Sequence, residues 1–162
     1  MANRAIFGPI LARFAMVNTS SRWAAWAGGK MGVVDADPSV TRLADLVRAA
    51  LDAADLDAFA ELLDSDVTWG APGDPAPACQ NRKQVLDWYK RGRTEGRRAQ
   101  VTEVLTNAGK ILVGMQVTTP RSPDSDLVAD RWQVLTVRAG RIADIRGYEA
   151  LSPARDAAGL AR

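Results

Sequence analysis

Asp130 and Glu149 are the two residues whose type and spacing best suit catalysis. They lie at the far ends of two β-rich runs that flank Gly140, a pattern that predicts a β-hairpin. If Arg138 pairs with Arg141 across the turn, Asp130 lies opposite Glu149 on one face. Two carboxylates in a partly dry site can act as a general acid and a general base. The competing interpretation places both at a solvated strand end, and the sequence leaves the two open.

Asp87 is a further candidate acid that would act through a bound water. The chain contains no histidine, which excludes imidazole metal sites and catalytic machinery of the Ser-His-Asp and Cys-His kinds. Its one cysteine, Cys79, cannot form an internal disulfide, which fits a reducing compartment. We interpret Cys79 as a buried, inert thiol, and we expect a cytoplasmic protein with no metal and no cofactor.

The same hairpin register predicts an apolar stripe that faces inward, with polar residues on the other face. The outer face would carry Gln133 and Arg146, either solvated or at the back of a dimer. Strand aromatics and aliphatics often line a ligand pocket, although a plain hydrophobic core explains them equally well. The predicted lining of an apolar pocket is Trp69, Trp88, Tyr89, Met115, Trp132, Val134 and Ile145.

The order of elements predicts an α+β fold. Three segments with helical apolar spacing begin at the start signals Asp37, Asp55 and Asn81, and a short strand at Trp69 separates the second from the third. Four strands follow, interrupted by a Pro- and Ser-rich segment, Thr119–Asp126, that is predicted to be a loop. Three N-terminal helices packed on a strongly curved, mostly antiparallel sheet would form a cone-shaped barrel.

The chain divides into three segments by composition. Its 162 residues are 47% hydrophobic and 25% charged, which is typical of a soluble globular protein with one folded domain. We assign that domain to residues 37–150 and a C-terminal tail to 151–162. Residues 1–36 are interpreted as a disordered extension or as sequence upstream of a true start at Met31. A signal peptide or a surface anchor is an alternative for the same segment.

The basic residues do not form a nucleic-acid footprint. Four of them lie in residues 1–34, which contain no acid, so the net charge of +2 does not describe the domain. The run Lys90–Arg93 falls at a helix end, where cations complement the helix dipole. With no recognition motif present, we expect neither nucleic-acid binding nor membrane insertion.

Three motifs, in order and spacing, resemble the nuclear transport factor 2-like superfamily and especially its SnoaL-like bacterial branch. They are residues 55–69 (DLDAFAELLDSDVTW), residues 79–86 (CQNRKQVL), and residues 137–142 (VRAGRI) leading to Tyr148. The likeness covers about residues 38–149. It implies a cone-shaped α+β barrel with a deep apolar pocket, commonly dimeric. The superfamily contains polyketide cyclases, ketosteroid isomerases, epoxide hydrolases and members without enzymatic activity, so the fold does not assign the function.

This chain departs from each catalytic pattern of that superfamily. Isomerase-like members place a carboxylate base after the first strand, where this chain has Gly70 and no acid before Asp74. They also keep an acid midway along the penultimate strand, where this chain has Gln133. The cyclases use histidine, which is absent. Hydrolase-like members need two aspartates bridged by an arginine, for which Asp87, Asp130 and Arg131 are the available residues.

Three functions remain. The first is a domain that binds a small hydrophobic molecule, with its catalytic status undetermined. The second is an isomerase, cyclase or hydrolase that acts on a polyketide- or steroid-like substrate through carboxylates. The third is a non-catalytic dimerisation module, and a homodimer is expected in each case.

Overall fold

Side-chain caps begin the first three helices where the sequence predicts them. In a computed structural model that describes residues 37–160, the carboxylates of Asp37 and Asp55 accept hydrogen bonds from backbone N–H groups two and three residues later, each at 2.9 Å. The side chain of Asn81 caps the third helix in the same way, at 2.9 Å. Each cap satisfies a donor that the first helical turn leaves unpaired. The predictions about residues 1–36 lie outside the described residues.

Four helices and five strands follow one another in the described chain. The helices are α1 (Pro38–Asp52), α2 (Leu56–Leu62), α3 (Arg82–Thr94) and α4 (Leu151–Ala157). The strands are β1 (Leu63–Gly70), β2 (Arg98–Asn107), β3 (Lys110–Ser122), β4 (Ser125–Arg138) and β5 (Arg141–Tyr148).

The five strands form one curved, unclosed sheet in the order β1-β5-β4-β3-β2. Strand β1 runs parallel to β5, and the other neighbouring pairs are antiparallel. Helices α1, α2 and α3 cover the concave face, where they bury the larger hydrophobic core. The predicted α+β cone is confirmed. Among residues 37–160 no helix is long and apolar enough to cross a membrane.

A β-bulge in β5 changes the predicted register of the last hairpin. Arg138 pairs with Arg141 as predicted, but Thr136 pairs with Asp144, so Ala143 is an extra residue in β5. A bulge shifts all later pairs by one position. Each later residue of β5 therefore shares a face with a different set of β4 side chains from the one that a regular hairpin predicts. Trp132 therefore lies opposite Tyr148, not opposite Gly147 as the sequence analysis predicts.

The segment Thr119–Asp126 is not the predicted loop. Strand β3 continues to Ser122 and β4 begins at Ser125, so the two strands form a long hairpin with a tight turn. Pro120 is accommodated within this arm, opposite Asp126.

The C-terminal segment forms a helix on the convex face of the sheet. Helix α4 buries Ala154 and Ala158 against Leu112 and Val134 in a second, smaller core. The side chain of Asn107 donates hydrogen bonds to the carbonyls of Ala158 and Gly159 at 3.1 and 2.7 Å. Lys110 donates to the carbonyl of Ala157 at 2.9 Å, so two side chains hold the end of this helix. The sequence predicts only a tail here, because a seven-residue helix has little periodic signal of its own.

Candidate functional site

A tyrosine and a glutamine meet on the concave face, near the centre of the sheet. The hydroxyl of Tyr89, on the inner side of α3, donates a hydrogen bond of 3.0 Å to Oε1 of Gln133 on β4. Gln133 is only 7% exposed and is the one buried polar or charged residue among residues 37–160. The pair joins a helix to the middle of the sheet through two polar groups in apolar surroundings.

Burial controls the ionisation of this tyrosine. The loss of hydration raises the pKa of Tyr89 to about 12, although the hydrogen bond with Gln133 opposes the increase. The phenol therefore stays protonated at neutral pH and acts as a donor. Since Oε1 of Gln133 accepts this bond, its amide Nε2 is left to donate elsewhere.

Aromatic rings surround the pair. Tyr89 makes edge contacts with Phe59 of α2, at a centroid distance of 5.4 Å, and with Trp88, at 5.1 Å. Trp88 in turn stacks on Trp69 of β1 with their ring centroids 4.1 Å apart. A Cβ atom at Gly147 would lie 3.7 Å from the indole of Trp69, so the missing side chain leaves this ring room beside β5. Gly147 is also the cross-strand neighbour of Gln133.

Two N–H donors on this face have no partner within residues 37–160. The indole Nε1 of Trp69 is enclosed and makes no hydrogen bond. Nε2 of Gln133 likewise makes none of the side-chain bonds found in this part of the chain, where the only bond of that side chain is through Oε1. An enclosed donor without an acceptor, such as Nε1 of Trp69, costs on the order of 1–3 kcal/mol, so it is a candidate for contact with a ligand.

Five of the seven predicted pocket residues belong to the concave side. Two of these are Met115 and Ile145, which are buried in the larger core, and the other three are the aromatic residues already described. The inward orientation predicted for Trp132 and Val134 is wrong. Both lie in the smaller core on the convex face, because the bulge at Ala143 changes the register.

The three predicted catalytic carboxylates are not brought together. Asp130 lies opposite Gln116, on the convex face that also carries Trp132. Glu149 has a side chain 86% exposed, and its carboxylate lies 3.7 Å from the guanidinium of Arg131. The cross-strand pairing predicted for Asp130 and Glu149 is therefore wrong.

Asp87 lies on the solvent side of α3. Its carboxylate forms an ion pair of 2.5 Å with Lys83, one turn earlier, and this contact lowers the pKa of Asp87. Any catalytic role for these carboxylates stays a prediction.

Cys79 is buried beside Trp69, with which it forms an isolated antiparallel bridge. Burial raises the pKa of the thiol, which disfavours the nucleophilic thiolate. Within the described part of the chain, no group of three or more Cys, Asp or Glu side chains is placed to hold a metal ion.

Gln133 and Phe59 are site residues that the sequence analysis missed as pocket residues. The regular hairpin that the sequence predicts places Gln133 on the outer face. The sequence offers only the spacing of Ile142 and Ile145, which are three residues apart, and the structure shows that both are fully buried in the larger core. In a regular strand, residues with odd spacing lie on opposite faces, so this spacing indicates a bulge.

Comparisons with known proteins agree with this architecture. The family model of the SnoaL-like domain matches residues 43–145. No curated protein has a sequence that matches this chain significantly.

Three solved structures show how widely the fold is shared. A protein with a ketosteroid isomerase-like fold from Catenulispora acidiphila, in complex with trimethylamine, has 17% identity and a TM-score of 0.53, with 74% of this chain and 93% of that chain covered. TerC, co-crystallised with polyporic acid, has 13% identity and a TM-score of 0.56, with 70% and 92% covered. An epoxide hydrolase from M. tuberculosis has 17% identity and a TM-score of 0.55, with 70% and 84% covered. At these identities the structures establish the fold alone.

The family match spans more than half of the chain and includes the elements that carry Tyr89 and Gln133. The chain therefore belongs to the SnoaL-like domain family, within the nuclear transport factor 2-like superfamily.

Proposed function

We propose that this domain binds a small, mostly apolar molecule on its concave face, with an oxygen atom of the ligand accepting a hydrogen bond from Nε2 of Gln133. The observation that carries the proposal is that one end of this amide has a hydrogen-bond partner and the other end has none among residues 37–160. Tyr89 holds Oε1 at 3.0 Å, while Nε2 has no partner among residues 37–160. A ligand oxygen would give this donor an acceptor beside the aromatic rings.

The surroundings favour a ligand with an extended apolar surface. Trp69 and Trp88 are only partly buried, and they present stacked rings beside the glutamine. Aromatic side chains bind flat apolar surfaces well, and offset stacking adds about 0.5–1.5 kcal/mol per ring pair. Relatives of the same fold were crystallised with polyporic acid and with trimethylamine, which supports a small-molecule role for this domain.

The chemistry available at this face favours binding over carboxylate catalysis. In the described strands, alternation and register place no Asp or Glu side chain on the concave face. Tyr89 holds its proton up to a pKa of about 12, so it polarises the amide but is a poor base at neutral pH. The isomerase, cyclase or hydrolase alternative therefore depends on carboxylates that lie at the surface of the described chain.

A pair of matched probes tests the role of the glutamine. We would titrate the full chain with 2-acetylnaphthalene and with 2-ethylnaphthalene, which has a similar shape but no oxygen acceptor, and follow tryptophan fluorescence. The ketone should bind about tenfold more tightly, as one hydrogen bond of roughly 1–1.5 kcal/mol requires. Gln133→Leu should abolish this difference.

Gln116→Leu is the matched control, since it makes the same substitution at an exposed position on the convex face of β3. It should leave the preference for the ketone unchanged. Equal affinity for the two probes in the unmodified chain would contradict the proposal. So would a preference that survives in Gln133→Leu. Native mass spectrometry of protein purified gently from its own host would then identify a retained natural ligand by its mass.

A further inference from the structure

The N-terminal half of β4 has a free edge. Strand β5 pairs with β4 only as far as Trp132, which lies opposite Tyr148, the last residue of β5. Residues 125–131 of β4 pair with β3 on one side, and no strand within residues 37–160 pairs with them on the other. At about 3.4 Å per residue this edge is roughly 20 Å long, enough for a short added strand.

The backbone groups on this edge can be identified from the alternation of the strand. The N–H of Val137 donates to the carbonyl of Gly109, on the side of β3, at 2.8 Å. Because N–H and C=O directions alternate along a strand, odd-numbered residues of β4 point toward β3 and even-numbered residues point away. Asp126, Val128 and Asp130 therefore direct their N–H and C=O groups toward the free edge.

Arg131 lies at the C-terminal end of the free edge. One guanidinium nitrogen of Arg131 donates to the carbonyl of Asp130 at 2.9 Å, and another lies 3.7 Å from Glu149. The carbonyl of Asp130 thus already accepts from a side chain, as expected for a group that points away from β3. The backbone groups of Val128 and Asp126 have no such contact among the described residues. The carboxylate of Asp126 lies 3.6 Å from the guanidinium of Arg98, and both side chains are exposed, so water screens this pair and a strand at the edge can still reach the carboxylate.

The side chains along this edge are unusually apolar for an exposed position. Leu127 is 39% exposed and Val128 is 52% exposed, and only one other large hydrophobic residue in the described chain is comparably exposed. A long edge with exposed hydrophobic side chains is a template for the addition of another strand.

Charge decides which strand fits. In a symmetric antiparallel pairing centred on Val128, Asp126 would lie opposite Asp130 of a second copy, and like charges directly opposite one another destabilise a pair. A second copy is therefore disfavoured in this register. A strand with a basic residue opposite each carboxylate and an apolar residue opposite Val128 would be favoured instead.

We propose that the free edge of β4, residues 126–130, is a docking site for an extended segment of a partner protein that carries Lys or Arg on both sides of an apolar residue. The segment adds to the sheet as a sixth strand next to β4. The site is distinct from the concave face and does not depend on the ligand proposed there.

The test uses three capped heptapeptides and the full chain. The first peptide, Thr-Lys-Thr-Val-Thr-Lys-Thr, carries the favoured pattern, the second has Glu in place of both lysines, and the third has an N-methyl group on its valine. Amide chemical shifts in two-dimensional NMR spectra report binding residue by residue. The first peptide should shift the amides of Asp126, Val128 and Asp130, with a dissociation constant that rises several-fold on addition of 0.3 M NaCl. The other two should bind at least fivefold more weakly.

Two variants locate the binding. Val128→Pro removes an N–H that points away from β3, a position where an edge strand tolerates proline, and it should abolish the response. If this variant does not fold, the double variant Asp126→Asn/Asp130→Asn keeps the backbone and should weaken binding several-fold. The matched control, Asp57→Asn/Asp66→Asn, neutralises two exposed carboxylates elsewhere and should not weaken binding.

Three outcomes would overturn the proposal. One is the absence of shifts at the three edge amides at millimolar peptide. Another is equal binding by the acidic or N-methylated peptide. The last is a concentration-dependent dimer that Val128→Pro disrupts, because this result would make a second copy of the chain the occupant of the edge.

Discussion

Tyr89 and Gln133 are 44 positions apart in the chain and form a 3.0 Å hydrogen bond between α3 and the centre of the sheet. The bond pairs a phenol that burial keeps neutral with an amide that is nearly enclosed. Because Oε1 accepts this bond, Nε2 is the atom of the amide that is left to donate. A contact within the core thus sets which atom of this amide accepts and which one is left for the ligand that we propose.

Removal of both partners should destabilise the fold by less than the sum of the two single removals. Tyr89→Phe leaves Oε1 of Gln133 without its donor and should lower the free energy of unfolding by about 1–3 kcal/mol. Gln133→Leu leaves the tyrosine hydroxyl without its acceptor and should lower the free energy of unfolding by a similar amount. The double variant should lose less than the sum of the two, which urea denaturation of all four proteins would measure.

Tyr148→Phe is the matched control for that cycle. Tyr148 is the other tyrosine of the chain, and its hydroxyl makes no hydrogen bond among residues 37–160. Its removal should change stability by less than about 0.5 kcal/mol. Strict additivity of the Tyr89 and Gln133 variants would contradict the coupling.

Stability should fall at alkaline pH through the titration of Tyr89. The native pKa is raised to about 12, whereas an unfolded tyrosine has a pKa of about 10. Above pH 10 the unfolded state releases this proton while the native state keeps it, so stability decreases as the pH rises toward 12. The loss from this group approaches about 3 kcal/mol above pH 12.

Urea midpoints at pH 8, 10 and 11 would measure the effect. Tyr89→Phe lacks this titration, so its stability should fall less over the same range. An identical pH dependence in both proteins would show that the hydroxyl ionises without cost in the native state.

Arg146 should hold the loop that follows β1. Its Nε lies 3.1 Å from both carboxylate oxygens of Asp144, and its Nη1 donates to the carbonyls of Ala71 and Asp74 at 3.0 Å each. Arg146→Lys keeps the charge but cannot reproduce this fork of donors. We expect a loss of about 2 kcal/mol, since the ion pair is partly buried, and faster amide exchange in residues 71–77.

Hydrogen–deuterium exchange measured by mass spectrometry would test this prediction. Arg138→Lys makes the same substitution at an exposed position beside the last hairpin turn and serves as the control. If residues 71–77 exchange at the same rate in both variants, the guanidinium does not hold the loop.

Removal of α4 should expose the convex face. A chain that ends at residue 150 would uncover Leu112 and Val134, which are now buried at 0% and 3% exposure. We expect lower stability and greater binding of the dye 1-anilinonaphthalene-8-sulfonate, which reports exposed apolar surface. The milder variant Asn107→Ala removes two hydrogen bonds to the end of α4 and should produce a smaller change in the same direction.

Lys83→Ala is the control for surface effects, because it removes an exposed ion pair of α3 that water screens and that should contribute little to stability. Unchanged dye binding after truncation would show that α4 does not cover the convex face.

Local chemistry in the sequence determined the first three helices and their order, but not α4. Asp37, Asp55 and Asn81 cap helices at the predicted residues, because a short polar side chain before an apolar periodic run satisfies the first N–H groups wherever it occurs. The sequence also predicts the hairpin turn at Ala139-Gly140. In the structure both residues adopt the positive φ that such turns require. The family resemblance rested on these elements, and the family match confirms it.

Only the tertiary structure decided which side chains form the site. One extra residue at Ala143 places Ile145 on the same face as Leu135 and Gln133, so the side chains that alternate with them, Trp132 and Val134, lie on the convex face. The pairing at the turn is the same with or without the bulge, so the choice depends on packing between distant elements. Burial of Ile142 and Ile145 on one face, beneath α1–α3, outweighs regular alternation because each buried side chain of this size contributes about 1.5–3 kcal/mol.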